Sequence, residues 1–288
     1  MALELILNTV IPVFIIIGIG SLIGLFRKIE TDGFVNLLVY IAAPCLLFST
    51  VSKSSMSLGS FFHIMLVAAC IIIITGFLAF LFLRKSPRKG LYLAMVFGNT
   101  AYLGYPVSLF AFGAEGLALA VVFDAVVSLF LFSVGIYIVH RKNEIKESFR
   151  VPLIYAVILG LIVNFLGFNI PELIFKPIEM AGMITIPLAL LVLGYRLTEI
   201  KISNAKTVVL ASLFKIVGGL LVALLVVRLF SIEGLPKSII LLQASMPSAV
   251  MTMVLCHKYK QDSALVASVV LMTTLLSVVT IPLILWIF

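Results

Sequence analysis

The sequence predicts an all-α polytopic membrane protein whose ten transmembrane helices form two inverted five-helix repeats. Three observations carry this fold class. The composition is too apolar for a soluble domain, the basic residues alternate in sidedness across ten hydrophobic runs, and the fourth and ninth runs carry matching proline-bearing interruptions.

Of 288 residues, 63% are hydrophobic and 11% charged, with a mean hydropathy of +1.29. A soluble domain has too little interior to hide that much apolar surface. The apolar runs approach about 20 residues each, enough to cross roughly 30 Å of hydrocarbon. Their continuity argues against a β-barrel, which needs short alternating segments.

The first five spans are predicted at Glu4 to Phe26, Phe34 to Val51, Phe61 to Leu83, Gly90 to Phe112 and Gly116 to Val139. The second five are predicted at Val151 to Gly167, Leu173 to Tyr195, Ala205 to Phe230, Leu235 to Cys256 and Ser263 to Phe288. The opening MALELILNTV has no basic n-region and no cleavage site, so it reads as a retained first span. With the N-terminus outside, 15 Lys and Arg residues fall in inside loops and 4 in outside loops, while Lys215 lies within a span. That asymmetry places both termini outside an inner or plasma membrane. It also accounts for the net charge of +8 without nucleic acid, because the basic residues sit in short loops between spans.

The loop RKNEIKESFR, residues 141–150, divides the chain into a first repeat (1–140) and a second (151–288), joined by a cytoplasmic linker. Five spans per half give the halves opposite orientation. Pro44 and Pro187 are separated by 143 positions, Pro106 and Pro247 by 141, and Glu115 and Asp262 by 147. Three landmarks at nearly one offset indicate an inverted repeat, a common transporter design.

The interruptions are GNTAYLGYP, from Gly98 to Pro106, and LLQASMPSAV, from Leu241 to Val250. Proline has no N–H, so Pro106 is expected to free the carbonyl of Tyr102, and Pro247 that of Gln243. Gly98 and Gly104 loosen the backbone and permit close approach. Unsatisfied peptide groups are costly in hydrocarbon, so broken helices survive only inside protein or beside a wet cavity. Two such breaks related by an inverted repeat would cross near mid-membrane, with half-helix N-termini suited to a carboxylate. Asn99, Thr100, Gln243 and Ser245 are the candidate ligand contacts, and Gly98, Gly104, Pro106 and Pro247 the crossover architecture.

FGNTAYLGYPVSLFAFG with its following span, and ASMPSAVMTMVLCHKYKQDSALVASVVLMTTLLSVVTIPL, resemble the auxin efflux carrier family. That family includes plant PIN-type auxin exporters and bacterial permeases for malate or malonate. The resemblance covers essentially the whole chain and implies a ten-helix fold like that of bile-acid symporters and sodium/proton antiporters. In that fold spans 1, 2, 6 and 7 form a scaffold that often dimerises. Spans 3–5 and 8–10 form a transport core that slides or rocks as an elevator. The family's crossover prolines carry over to Pro106 and Pro247, and its preceding asparagine to Asn99. The short linker places the chain with the short prokaryotic type.

Other intramembrane polar groups are candidates of a second kind. Asp124 lies about 13 Å into span 5, near the midplane, where a carboxylate is by default a site of ion or proton coupling. The alternative is a hydrogen-bonded architectural aspartate. Lys215 either pairs with Asp124 or snorkels toward the membrane edge. Glu115 and Asp262 are expected to cap spans 5 and 10. GSLIG, Gly20 to Gly24, permits tight packing. Cys45, Cys70 and Cys256, and the scattered His63, His140 and His257, form no metal-like cluster. There is no HExxH, GxSxG or P-loop, so no enzyme, metal or cofactor is expected beyond a coupling proton or sodium ion.

The expected function is a secondary carrier or uniporter of small organic anions, such as carboxylates or auxin-like weak acids, embedded in the bilayer as a homodimer through its scaffold. The alternatives are a passive ion channel or a ligand-sensing receptor using the same cavity, with an intramembrane enzyme third.

Overall fold

A computed structural model of the chain describes residues 2–84, 88–140, 152–200 and 202–287; the predicted linker 141–150 lies outside them. Every regular element among the described residues is helical, and one isolated antiparallel bridge joins Gly98 to Ser248.

The first half comprises α1 (Ala2–Phe26), α2 (Asp32–Ser52), α3 (Leu58–Leu83), α4 (Lys89–Val96) and α5 (Gly104–His140). The second comprises α6 (Pro152–Leu166), α7 (Glu172–Met183), α8 (Thr185–Thr198), α9 (Ala205–Leu229), α10 (Gly234–Ala244), α11 (Val250–Lys258) and α12 (Ser263–Trp286). Seven helical stretches among the described residues are long and apolar enough to cross a membrane. Three of the predicted spans differ for physical reasons. α6 has 15 residues, and the fourth and ninth spans are each split by non-helical chain.

The 37-residue stretch α5 is not one straight rod. Gly113 inside it has φ 68 and ψ −162, outside the helical region. Residues 105 and 124 would stand about 28 Å apart in an unbroken helix. Instead the Tyr105 hydroxyl donates to Asp124 at 2.6 Å, so the chain doubles back at Gly113. Glycine is required there because φ is positive. Glu115 falls in the first turn after the reversal, at the opening of the fifth predicted span, and its Oε1 accepts from Ser55 Oγ at 2.8 Å. Asp262 holds the N-cap position of α12, but at φ −62, ψ 60 its side chain makes no cap hydrogen bond. The expected extended geometry is missing there.

Proline also explains two irregular helices. Pro44 removes the N–H that would meet Tyr40, and α2 adopts a π stretch over Leu38–Ala42, with Ala43 N–H reaching Leu38 O five residues back. Pro187 plays the same part in the seventh predicted span, where the helix stops at Met183 and restarts at Thr185. α3 begins at Leu58, three residues ahead of the sequence expectation, because Ser57 caps it by accepting from Ser60 N at 3.2 Å.

Small residues set the closest helix contacts. A Cβ on Gly20 would meet the backbone of Leu191, and one on Gly194 would lie 2.8 Å from the carbonyl carbon of Ile17. α1 and α8 thus touch backbone to backbone, and Ser21 Oγ donates to Gly194 O at 2.9 Å across the seam. α2 packs on α6 and α7 in the same manner, with Gly182 against Leu46. On its outer side α1 exposes Leu7, Ile11, Ile15, Ile19 and Leu22, one apolar stripe at near-helical spacing. Such a face is stable in lipid and a liability in water. Glu179, on α7, pairs with Lys53 at 3.1 Å on the exposed rim.

Gly194→Leu should lower the apparent Tm in detergent by several degrees, because overpacking costs about 1–3 kcal/mol. Gly18→Ala, whose new Cβ meets nothing within 4 Å, should leave it unchanged. Thermal unfolding of both variants checks the pair. A Cβ on Gly104 would lie 2.8 Å from Gln243 Nε2. Gly104→Ala is therefore expected to destabilise, and Gln243→Ala in the same chain to recover part of the loss, read as a non-additive double-mutant cycle.

Candidate functional site

α4 ends at Val96 and helix resumes at Gly104; α10 ends at Ala244 and helix resumes at Val250. Neither predicted break is a simple proline kink. Pro106 sits in the first turn of the resumed helix, where the flanking N–H groups of Tyr105 and Val107 reach Ala101 O and Leu103 O, so its missing N–H is the one that would meet Tyr102 O. Pro247 lies within residues 245–249, and Gln243 O is not left free, accepting from Met246 N at 3.3 Å.

The two breaks satisfy each other. Asn99 N–H donates to Pro247 O at 2.6 Å, and Ala249 N–H donates to Phe97 O at 3.0 Å. Ser248 ties the pair to its surroundings: its Oγ donates to Ala94 O at 2.6 Å, and its N–H donates to Thr273 Oγ1 at 3.1 Å. Each bond removes a backbone group that would otherwise be orphaned in an apolar interior. Gly98 leaves room for Lys215, whose Nζ would lie 3.3 Å from a Cβ there.

A cavity of about 80 Å³ opens beside the paired breaks. One wall comes from α2 (Leu38, Ala43, Leu47), Leu153 of α6, and Thr185 with Ile186 at the start of α8. The other comes from residues 98–102, the Tyr105 and Asp124 arms of α5, and Ala249 with Met251 at the start of α11. Asp124 is 4% exposed. Its Oδ1 accepts from Thr100 Oγ1, and its Oδ2 accepts from Tyr105 OH at 2.6 Å and Ser128 Oγ at 3.5 Å. Three buried polar atoms in the lining residues have no hydrogen-bond partner: Asn99 Nδ2, Tyr102 OH and Thr185 Oγ1. Leaving such groups unmade costs about 1–3 kcal/mol each, unlike the satisfied remainder of the site.

Lys215 belongs to a second, smaller cavity of about 20 Å³, shared with Thr75, Gly98, Thr100 and Gln243. It lies in the π stretch Phe214–Gly218 of α9 and is 2% exposed. Neither sequence alternative describes it. Among the described residues no ion pair joins it to Asp124, and its Nζ donates to Ala244 O at 3.2 Å instead of reaching a membrane edge. That carbonyl closes α10, so the ammonium faces the negative end of a half-helix. Gln243 Nε2 donates to Ser108 Oγ at 3.0 Å, while its Oε1 has no partner.

Asn99, Thr100, Gly98 and Asp124 thus meet at the larger cavity, and Gln243 and Lys215 at the smaller. Ser245 lines neither, its Oγ donating back to Leu241 O at 2.7 Å. Sequence reasoning missed Tyr102, Tyr105, Ser128 and Thr185. Both tyrosines stand within the GNTAYLGYP motif, Ser128 is one helical turn beyond Asp124, and Thr185 is two residues before the landmark Pro187.

Known proteins match the chain over nearly its full length. The family described as "Membrane transport protein" matches residues 5–148 and 141–285. An uncharacterized transporter of Methanocaldococcus jannaschii is 32% identical over 302 residues, covering 98% of each chain. An uncharacterized transporter of Methanothermobacter thermautotrophicus is 28% identical over 300 residues, covering 96% of each. A multi-pass apolar helical chain with these matches in both halves belongs to the membrane transport protein family, that of the auxin efflux carriers.

Proposed function

We propose that the protein is a secondary carrier or uniporter of small organic anions, carboxylates or auxin-like weak acids, that binds its substrate at the crossing of the two broken segments. The observation that carries this reading is one largely apolar cavity whose lining includes Asn99, Tyr102 and Thr185, each with a buried side-chain polar atom that has no partner. An amide N–H₂ can only donate, so Asn99 calls for an acceptor such as a carboxylate oxygen. The start of α11, at Ala249 and Met251, adds the positive end of a half-helix.

The same reading supplies a mechanism. The chain crosses a cell membrane ten times as two inverted repeats, with both termini outside. α1, α2, α6, α7 and α8 form the scaffold, through which two copies pair. The elements carrying the breaks, with α3, α9 and α12, form a core that alternates access by sliding or rocking. The cavity's position between Leu38, Leu153 and Thr185 on one side and residues 98–105 on the other supports this division. A channel or a receptor using the same cavity would lack saturable counterflow.

Proteoliposomes loaded with purified protein should take up labelled carboxylates with saturation and counterflow. Asn99→Ala should weaken apparent affinity roughly ten- to hundredfold, since a hydrogen bond to a charged group contributes about 1.5–3 kcal/mol. Ser245→Ala should transport like wild type. Unchanged transport in Asn99→Ala would remove that residue from the site.

A further inference from the structure

The cavity assigned to an anion carries one formal charge of its own, and that charge is negative. Asp124 is the sole ionisable carboxylate among the lining residues, and no Lys, Arg or His lines the cavity. The cations of adjoining elements are engaged elsewhere. Lys215 of α9 opens on the neighbouring cavity and donates to Ala244 O. Arg196, at the end of α8, lies within electrostatic reach of Tyr102 but pairs with Asp32 at 3.0 Å. Facing Asp124 from the break and from α5 are the hydroxyls of Thr100, Tyr102, Tyr105 and Ser128. From α2, α6 and α11 come only apolar side chains, and from α8 the hydroxyl of Thr185 with apolar neighbours.

A carboxylate held by Asn99 would share this cavity with Asp124, because Thr100, the next residue, is hydrogen-bonded to that aspartate. Two negative charges about 4–6 Å apart in a poorly solvated site strongly disfavour joint ionisation. Something of opposite charge must accompany the substrate. Among the described residues no group of three or more His, Cys, Asp or Glu stands together to hold a metal ion, whereas a proton needs only the two carboxyl groups themselves.

We propose that the substrate carboxylate binds together with one proton, shared between its own carboxyl group and that of Asp124, so that the loaded cavity carries a single negative charge. This rests on the reading of the cavity as a carboxylate site. The proton enters from the side on which the substrate enters and leaves with it, so no bond other than O–H is made or broken. Net translocation is then of the neutral acid, one proton per carboxylate.

Phenylacetate is a suitable probe, with one carboxylate on an apolar body that matches the walls. Its binding to the full-length protein in detergent is measured calorimetrically near pH 7 in buffers of different ionisation enthalpy, which counts protons. The expected result is uptake of about one proton per phenylacetate, with affinity falling as pH rises, toward tenfold per pH unit. Asp124→Asn should still bind, with no proton uptake and no dependence on pH. The wild-type count decides by itself, so the test stands even if that variant fails to fold. Phenylacetate binding without proton uptake, or binding that requires sodium, overturns the proton and leaves the carboxylate site intact. No binding of phenylacetate, hexanoate, benzoate or succinate overturns both.

Discussion

The structure depends on one constraint: a peptide group in hydrocarbon has no water to bond with. Two stretches of this chain give up helical hydrogen bonds in the most apolar part of the molecule, and each supplies what the other lost. Asn99 N–H on Pro247 O, and Ala249 N–H on Phe97 O, make an isolated antiparallel bridge where every regular element among the described residues is helical. The sequence features around it follow from that exchange. A side chain at Gly98 would crowd the Lys215 ammonium, and at Gly104 the Gln243 amide occupies the space. Ser248 bonds outward to Ala94 and Thr273, which holds the bridge between α4 and α12.

Breaking two helices at one level also creates four new helix ends, and the polar side chains are distributed among them by charge. Lys215 faces the carbonyl end of α10. The N-terminal end of α11 borders the larger cavity, where Asn99 and the hydroxyls gather. Asp124 follows the same sorting. Its carboxylate sits among donors in the cavity proposed for an anion, and three hydroxyls hold its two oxygens. A purely architectural aspartate needs only the hydroxyls; one that lines a cavity is also placed to meet what enters.

Much of this was legible in the sequence, and the limits of legibility have physical causes. Helix-hostile residues at matching places in two apolar runs located both breaks, because lipid tolerates such residues so poorly. GSLIG likewise foretold close contact, realised against Leu191 and Gly194. The nature of the breaks was not legible. Proline implies a freed carbonyl, but whether a helix bends or stops depends on partners elsewhere in the chain, here Pro247 and Phe97. Lys215 and Ser245 show the same limit. Both are polar residues at membrane depth, and composition cannot reveal that one faces a helix end while the other bonds one turn back within its own helix. Thr185 was invisible for a simpler reason, since a threonine in an apolar helix has no distinguishing pattern until a neighbouring wall is seen.

The single-residue turn at Gly113 has a mechanical consequence. A connection that short, with Tyr105 and Asp124 clasped across it, makes residues 104–140 a stiff hairpin with no slack at its tip. In the proposed alternation of access, the segment after the first break and the aspartate beneath it would therefore travel as one lever. Displacement in that mechanism would be absorbed at the helix faces around the hairpin and not within it.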